Sequence, residues 1–181
     1  YIKTMEKALA PESRPASLPF LAIKKVTVHY RPRPVVGIVA PWNYPVANLL
    51  MDGIAALAAG CSVLLKPSER TPLTAELLVR GWLDSGAPEV MAIVQGAREA
   101  VEAVVDNSDF IQFTGSSATG AKVMERAARR LTPVSLELGG KDPMIVLDDA
   151  DVDLAAHAAV WGAMFNAGQT CVSVERVYVL E

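Results

Sequence analysis

The chain has 181 residues, 51% hydrophobic and 20% charged, with a formal net charge of −3. This is globular composition, enough for one good core or parts of two domains. Scattered Lys and Arg on a slightly acidic chain give nucleic acid or an anionic membrane no electrostatic footing, and no apolar run approaches the roughly 20 residues that span a bilayer.

The opening Tyr1-Ile2-Lys3 shows no secretory signal pattern. Residues 3–10 look like the end of a helix, and Pro11, Pro15 and Pro19 make an extended linker after it. Residues 23–30 alternate and are β-branched, which predicts a half-exposed strand with His29 on its surface. From Val35 onward short apolar strands alternate with helical stretches. Strands are expected over 35–40, 62–65, 90–94, 110–113 and 134–138. Helices are expected over 46–59, over the stretch that Thr71 caps and Pro72 opens as far as Gly86, and over 99–105 and 118–130. Unpatterned apolar strands separated by helices predict a parallel sheet covered on both faces.

After Gly140 another unit begins: a strand over 144–147, a helix over 154–166, a turn, and a strand over 176–180. Leu154, Ala158, Trp161 and Phe165 fall on one face of that helix and read as core. Asp148, Asp149, Asp151 and Asp153 precede it; they read as acids at a helix N-terminus, since no EF-hand spacing follows. Nothing around Cys61 and Cys171 suggests a disulfide, so a reducing cytoplasm is the expected compartment. The chain lacks an initiator Met and stops within a strand-like run, so it reads as a piece of a longer protein.

Five clusters fall at expected strand ends, where an open α/β sheet binds ligands. Asn43, in Pro41-Trp42-Asn43-Tyr44-Pro45, is either a turn former or an amide aimed at a developing oxyanion. Lys66 and Glu69, in Lys66-Pro67-Ser68-Glu69, are either a surface ion pair or the holders of a ribose diol. The run from Phe113 through Gly115 and Ser116 to Gly120 enters a helix whose N-terminus could receive a pyrophosphate. It is not a Walker loop, and no G-x-G-x-x-G follows the first strand. Glu137 stands at the end of an expected buried strand, where an unpaired carboxylate needs a reason. Cys61 reads as a small core hydrophobe. Cys171, in Gly168-Gln169-Thr170-Cys171-Val172, occupies a small polar bend and reads as a nucleophile.

Taken together and in order, Pro-Trp-Asn-Tyr-Pro, Lys-Pro-Ser-Glu, Phe-Thr-Gly-Ser, Glu-Leu-Gly-Gly-Lys and Gly-Gln-Thr-Cys resemble the aldehyde dehydrogenase superfamily over nearly the whole chain. The resemblance implies an α/β, Rossmann-like doubly wound parallel sheet and the start of a second α/β catalytic domain. It divides the chain into 1–34, a helix end and a bridging strand for oligomerisation; 35–140, an NAD(P)-binding domain; and 141–181, the start of the catalytic domain. It implies oxidation of an aldehyde to a carboxylic acid. Cys171 would be the thiolate that forms the thiohemiacetal and then the thioester. Asn43, with the Cys171 backbone N–H, would be the oxyanion donor, and Glu137 the base that activates the deacylating water. Ala40, Pro41, Trp42, Lys66, Ser68, Glu69, Gly96, Gly115, Ser116, Leu138 and Gly139 would line the cofactor cleft, with NAD as cofactor and NADP possible. Partners would be a small aldehyde and copies of the same chain, as a homodimer or homotetramer of the full-length protein.

Two departures stand out. After Gly96 the sequence runs Ala97-Arg98-Glu99-Ala100 in place of a second glycine-rich turn, and the family's later glutamate motif lies beyond Glu181. A CoA-acylating member needs no base at Glu137, and a non-catalytic member need not keep Cys171; the presence of both residues argues against these alternatives. A cysteine hydrolase would need a histidine beside the thiol, and only His29 and His157 exist.

Overall fold

The structure, a computed structural model, describes residues 2–15 and 24–180. The chain begins with helix α1 (Ile2–Leu9), then strands β1 (Glu12–Arg14) and β2 (Val26–Val28). It continues through β3 (Val35–Val39), α2 (Pro45–Ala58), β4 (Ser62–Lys66), α3 (Pro72–Asp84) and β5 (Met91–Ile93). Next come α4 (Arg98–Asp106), β6 (Phe110–Thr114), α5 (Ser117–Ala128) and β7 (Val134–Glu137). The last elements are β8 (Asp142–Val146), α6 (Val152–Met164), a 3₁₀ turn (Phe165–Gly168) and β9 (Val174–Val179).

The five middle strands form one parallel sheet in the order β5-β4-β3-β6-β7. The chain moves outward from β3 to β5, then returns past β3 to β6 and β7. Strand order therefore reverses between β3 and β6, and a crevice opens at their carboxyl ends. Because side chains alternate along a strand, β3 supplies both faces. Val36, Ile38 and Ala40 join Leu49 of α2 and Ala75 of α3 in one core. Val39 joins Val104, Val105, Ile111, Phe113, Val123 and Ala127 on the face covered by α4 and α5. Gly37 marks how closely α4 approaches: a Cβ there would lie 2.5 Å from Ser108 Oγ and 2.7 Å from Val104 Cγ1. Each fully buried aliphatic side chain in these cores contributes about 1.5–3 kcal/mol.

Several sequence expectations change. The proline-rich stretch after α1 is not wholly a linker: Glu12–Arg14 pairs antiparallel with Val26–Val28. That second strand is shorter than expected, and residues 16–23 of the same region, with Pro19 and Ile23, lie outside the described residues. Pro72 does open α3, but Thr71 makes no capping hydrogen bond, and its buried Oγ1 has no partner. Asp151 does cap α6, its Oδ1 accepting from the Leu154 N–H at 3.0 Å, and no metal-ligand cluster occurs among the described residues.

Leu154, Ala158, Trp161 and Phe165 do not pack into a core. They are exposed, and α6 buries no residue. The helix meets the parallel pair β8–β9 through its small side, where a Cβ on Gly162 would sit 2.7 Å from Val174 Cγ2. The large residues project the other way, where no described element covers them. Glu137 is also exposed, not seated on a buried strand. The physical reason is position: β7 is the edge strand, paired on one side only, and its residues are at most half-buried.

Candidate active site

A cleft of 690 Å³ lies at the switch point, lined by Val39, Ala40, Pro41 and Trp42 after β3, by Lys66, Ser68 and Glu69 after β4, and by Phe113 to Ser116 after β6. Lys66 is buried at the strand tip, while its partner Glu69 is exposed, with Nζ to Oε2 at 3.3 Å. Glu69 is held below the usual carboxylate range, first by its own backbone N–H; burial opposes this, and the Lys66 ammonium and the Arg70 charge add to the lowering. Ser68 is buried and accepts from the Arg70 N–H at 3.2 Å. The Arg70 guanidinium lies 5.6 Å from the Trp42 ring centroid and steadies that wall.

Ser116 caps α5, accepting from the Thr119 N–H at 3.3 Å. The helix N-terminus, with its unpaired N–H groups, therefore opens on the cleft. Gly115 keeps this rim bare: a Cβ there would meet the Phe113 ring at 2.7 Å. Five cations (Lys66, Arg98, Lys122, Arg126, Arg129) face three carboxylates (Glu69, Glu102, Glu125) around the cleft. The switch-point crevice, a helix N-terminus, a positive rim and an ordered carboxylate beside a buried ammonium are the donor set a dinucleotide diphosphate needs, so these residues fit NAD(P).

Sequence reasoning missed the basic floor. Lys122, Glu125, Arg126 and Arg129 recur at i, i+3, i+4 and i+7 along α5 and its end, a spacing that puts them on one helix face. Arg126 also ties α5 to α4, reaching Asp106 at 2.8 and 2.5 Å and Glu102 at 2.9 Å. Its guanidinium draws the Asp106 carboxyl below its usual range. Of the remaining expected cofactor residues, Gly96 stands just before the lining residues Ala97 and Arg98 without lining the cleft itself. Leu138 and Gly139 are also outside the lining; Leu138 instead packs against Gly120 of α5.

Cys171 is exposed and unpaired, whereas Cys61 is buried. The turn before Cys171 is unusual: Asn166 (φ 52°), Ala167 (φ 57°) and Gly168 (φ 74°) are all left-handed. Glycine adopts that region freely and Asn tolerates it, but Ala167 carries a cost of about 1–2 kcal/mol. The turn is fastened to the loop after β3. Asn43 Nδ2 donates to the Gln169 carbonyl at 2.8 Å, Asn166 Nδ2 donates to the Asn43 carbonyl at 3.3 Å, and the Tyr44 and Thr170 hydroxyls meet at 2.7 Å. One Asn43 amide proton is thus occupied. Among the described residues no second partner of Nδ2 occurs, and the buried Oδ1 has none.

Glu137 is not joined to the Cys171 turn by any hydrogen bond or ion pair among the described residues. By register Thr114 pairs with Glu137, and Phe113 faces the α4–α5 core. Glu137 therefore belongs to the opposite face of the sheet, the one α2 covers. There it meets a residue that the sequence did not single out. Asp52 of α2 is half-buried, and burial together with the negative charge of Glu137 raises its carboxyl above the ordinary value. The structure thus joins Asn43 to the Cys171 turn, gathers most of the expected cofactor residues in one cleft, and sets Glu137 beside a second carboxyl.

Comparison with known proteins identifies relatives of the fold and the sequence. The profile of the aldehyde dehydrogenase family matches residues 1–181. The chain is 45% identical over 185 residues to a protein of Mycobacterium tuberculosis named "Putative succinate-semialdehyde dehydrogenase [NADP(+)] 2", covering 99% of this chain and 35% of that one. It superposes on the putative aldehyde dehydrogenase PutA from Anabaena variabilis with a TM-score of 0.90 at 41% identity, covering 99% of this chain and 38% of that one. It also superposes on a Mycobacterium tuberculosis aldehyde dehydrogenase complexed with NAD+, with a TM-score of 0.89 at 38% identity, covering 98% and 36%. The chain spans little more than a third of the length of these relatives, and the family profile, matching along its whole length, places it in the aldehyde dehydrogenase family.

Proposed function

We propose that this chain carries the cofactor site and the nucleophile of an NAD(P)-dependent aldehyde dehydrogenase that oxidises an aldehyde to a carboxylic acid. The observation that carries the reading is the bonding of Asn43 to the turn that presents an exposed Cys171, at the same strand end that lines the dinucleotide cleft.

In this reading the Cys171 thiolate attacks the aldehyde carbon. A C–S bond forms, and the carbonyl electron pair moves onto oxygen. The second Asn43 amide proton and the Cys171 backbone N–H stabilise that oxyanion. The nicotinamide, when bound, supplies the two-electron acceptor that turns the thiohemiacetal into a thioester. Glu137 takes a proton from water, the hydroxide adds to the acyl carbon, and the C–S bond breaks to release the acid and return the thiolate. Residues 35–140 act as the cofactor domain, and 141–181 as the start of the catalytic domain. Residues 1–34 supply a bridging strand through which copies of the full-length protein assemble. Two free cysteines suit a reducing cytoplasm. The name of the Mycobacterium tuberculosis relative makes succinate semialdehyde the first substrate to try.

In the full-length enzyme Cys171→Ala is expected to abolish NAD(P)H production from a panel of aldehydes while leaving cofactor binding intact. Near-normal turnover by that variant would overturn the reading.

A further inference from the structure

The nucleophile's turn is strained, exposed and anchored from one side. Its anchor is a set of hydrogen bonds to the loop between β3 and α2, 123–126 residues away in sequence. Within that set the contact between Tyr44 and Thr170 differs from the rest. It is a side-chain pair at 2.7 Å, half-buried, and it adjoins Asn43 on one side and Cys171 on the other. Thr170 Oγ1 also lies 3.3 Å from the Phe165 carbonyl, which can only accept. A hydroxyl has one proton, so Thr170 donates to Phe165 and Tyr44 donates to Thr170. The chain of bonds runs from the Tyr44 phenol through the Thr170 hydroxyl to the backbone at the start of the left-handed turn.

We propose that the Tyr44–Thr170 hydroxyl pair is a positioning device for Cys171, holding the nucleophile turn and the Asn43 amide at one fixed separation. The proposal rests on Cys171 being the nucleophile. Its physical basis is that a thiolate and an oxyanion donor must act on the same carbonyl group, and small displacements of either are costly in rate. Asn43 meets the turn twice, its Nδ2 donating to the Gln169 carbonyl and its own carbonyl accepting from Asn166 Nδ2. Both bonds are made by one residue, about which the turn would still be able to pivot. Tyr44 and Thr170, each one residue further along their own segment, add a contact away from Asn43. Contacts from two consecutive residues fix an orientation, where contacts to one residue leave a rotation about it. The left-handed conformation of Asn166 and Ala167 is then a constraint held in place from outside the turn.

The test uses the full-length enzyme and four variants. Tyr44→Phe keeps the ring and removes the donor. Thr170→Val keeps the shape and removes the hydroxyl. Thr170→Ser retains the hydroxyl, and the double variant Tyr44→Phe/Thr170→Val closes a cycle. Each single removal is expected to lower kcat about 3- to 10-fold, the scale of one net hydrogen bond, with KM for the cofactor unchanged. The double variant should be no worse than the poorer single one, because both remove the same contact. Thr170→Ser should stay within about twofold of the parent by the same reasoning. Alkylation by iodoacetamide, followed at Cys171 by peptide mass spectrometry, gives a readout independent of turnover, and its rate at that residue should shift in step with kcat. Wild-type kcat and alkylation rates in both single variants, or additive losses in the double, would overturn the positioning role. Cys171→Ala separates the two levels: if it kills activity while the clasp variants do not, only the clasp proposal falls. If it retains activity, the nucleophile reading and the clasp fall together.

Discussion

The five-stranded half and the β8–α6–β9 segment share the same alternation of strand and helix, yet they bury themselves very differently. In the former, β3 and β6 are buried nearly throughout, and both faces are covered by helices. In the latter, α6 buries nothing, and Ile145, Val160, Trp161, Met164 and Val179 are each more than 60% exposed. A strand flanked by helices on both faces closes its own core; a two-stranded pair under one helix cannot. The difference matters for the proposed chemistry because the proposed cofactor cleft belongs to the closed half and Cys171, the proposed nucleophile, to the open segment. Hydrogen bonds among Asn43, Tyr44, Asn166, Gln169 and Thr170 tie the Cys171 turn to the loop that follows β3.

The strongest way to break this comparison is through Glu137, which stands on the closed sheet yet is assigned to act on the open segment's cysteine. Glu137→Gln keeps the size and loses the base. In the full-length enzyme it should lower steady-state turnover by roughly 10²–10⁴-fold and produce a burst of NAD(P)H as acyl-enzyme accumulates. Unchanged turnover would confine Glu137 to the edge of the sheet and leave the nucleophile without this base.

The packing contrast itself can be measured on the 181-residue chain. Leu65 is 1% exposed and Leu154 is 67% exposed. Leu65→Ala should cost about 2–5 kcal/mol, and Leu154→Ala less than about 0.5 kcal/mol, read from urea unfolding. Similar losses at both sites would mean that the open face is covered in solution.

Cofactor choice sharpens the description of the closed half. Glu69 is exposed and kept ionised by its own N–H and by Lys66, so a 2′-phosphate would meet a negative charge at close range. NAD should therefore be preferred, although the Mycobacterium tuberculosis relative carries NADP(+) in its name. Glu69→Ser should narrow the preference on the order of tenfold, the scale of one exposed charge contact. The measurement is the ratio of kcat/KM for the two cofactors, and a ratio near one in the parent enzyme would refute the preference.

How legible this was in the sequence follows the same divide. The parallel sheet could be read because its strands are short apolar runs between well-marked helices, as in Val-Val-Gly-Ile-Val before Pro45 and Ser-Val-Leu-Leu-Lys before Pro72. The strand-end motifs led to most of the cleft because a doubly wound sheet gathers strand ends by topology. What failed were inferences that need tertiary neighbours. Periodicity gave Leu154, Ala158, Trp161 and Phe165 an apolar face correctly, but it cannot say whether anything lies against that face. Thr71 has the chemistry of a cap without making the bond. Strand β1, Glu-Ser-Arg, has no apolar signal at all and exists through pairing with β2. The basic face of α5 was readable at helical spacing, but it gains meaning only once the cleft is placed above it.

Asp52 tests the sheet face on which Glu137 lies, with the smallest expected effect. Its carboxyl is raised above the ordinary value of 3.8, first by burial and then by the charge of Glu137. A raised acid means that the folded chain binds this proton more tightly than the unfolded chain does. Stability linked to Asp52 therefore increases as pH falls through the folded value, and the penalty for ionising it is present in full at neutral pH. Asp52→Asn removes that penalty while keeping shape and polarity. It should raise the melting temperature of the 181-residue chain at pH 7 by roughly 1–2 °C, a modest shift because solvent screens a half-buried group. The gain should shrink on acidification and vanish once Asp52 is protonated in both folded and unfolded states. The control is Glu137→Gln, which removes one source of the penalty and should leave a smaller gain for Asp52→Asn in its background. If the two gains were equal, the coupling between these carboxyls would be absent, and Asp52 would be an ordinary half-buried side chain on α2.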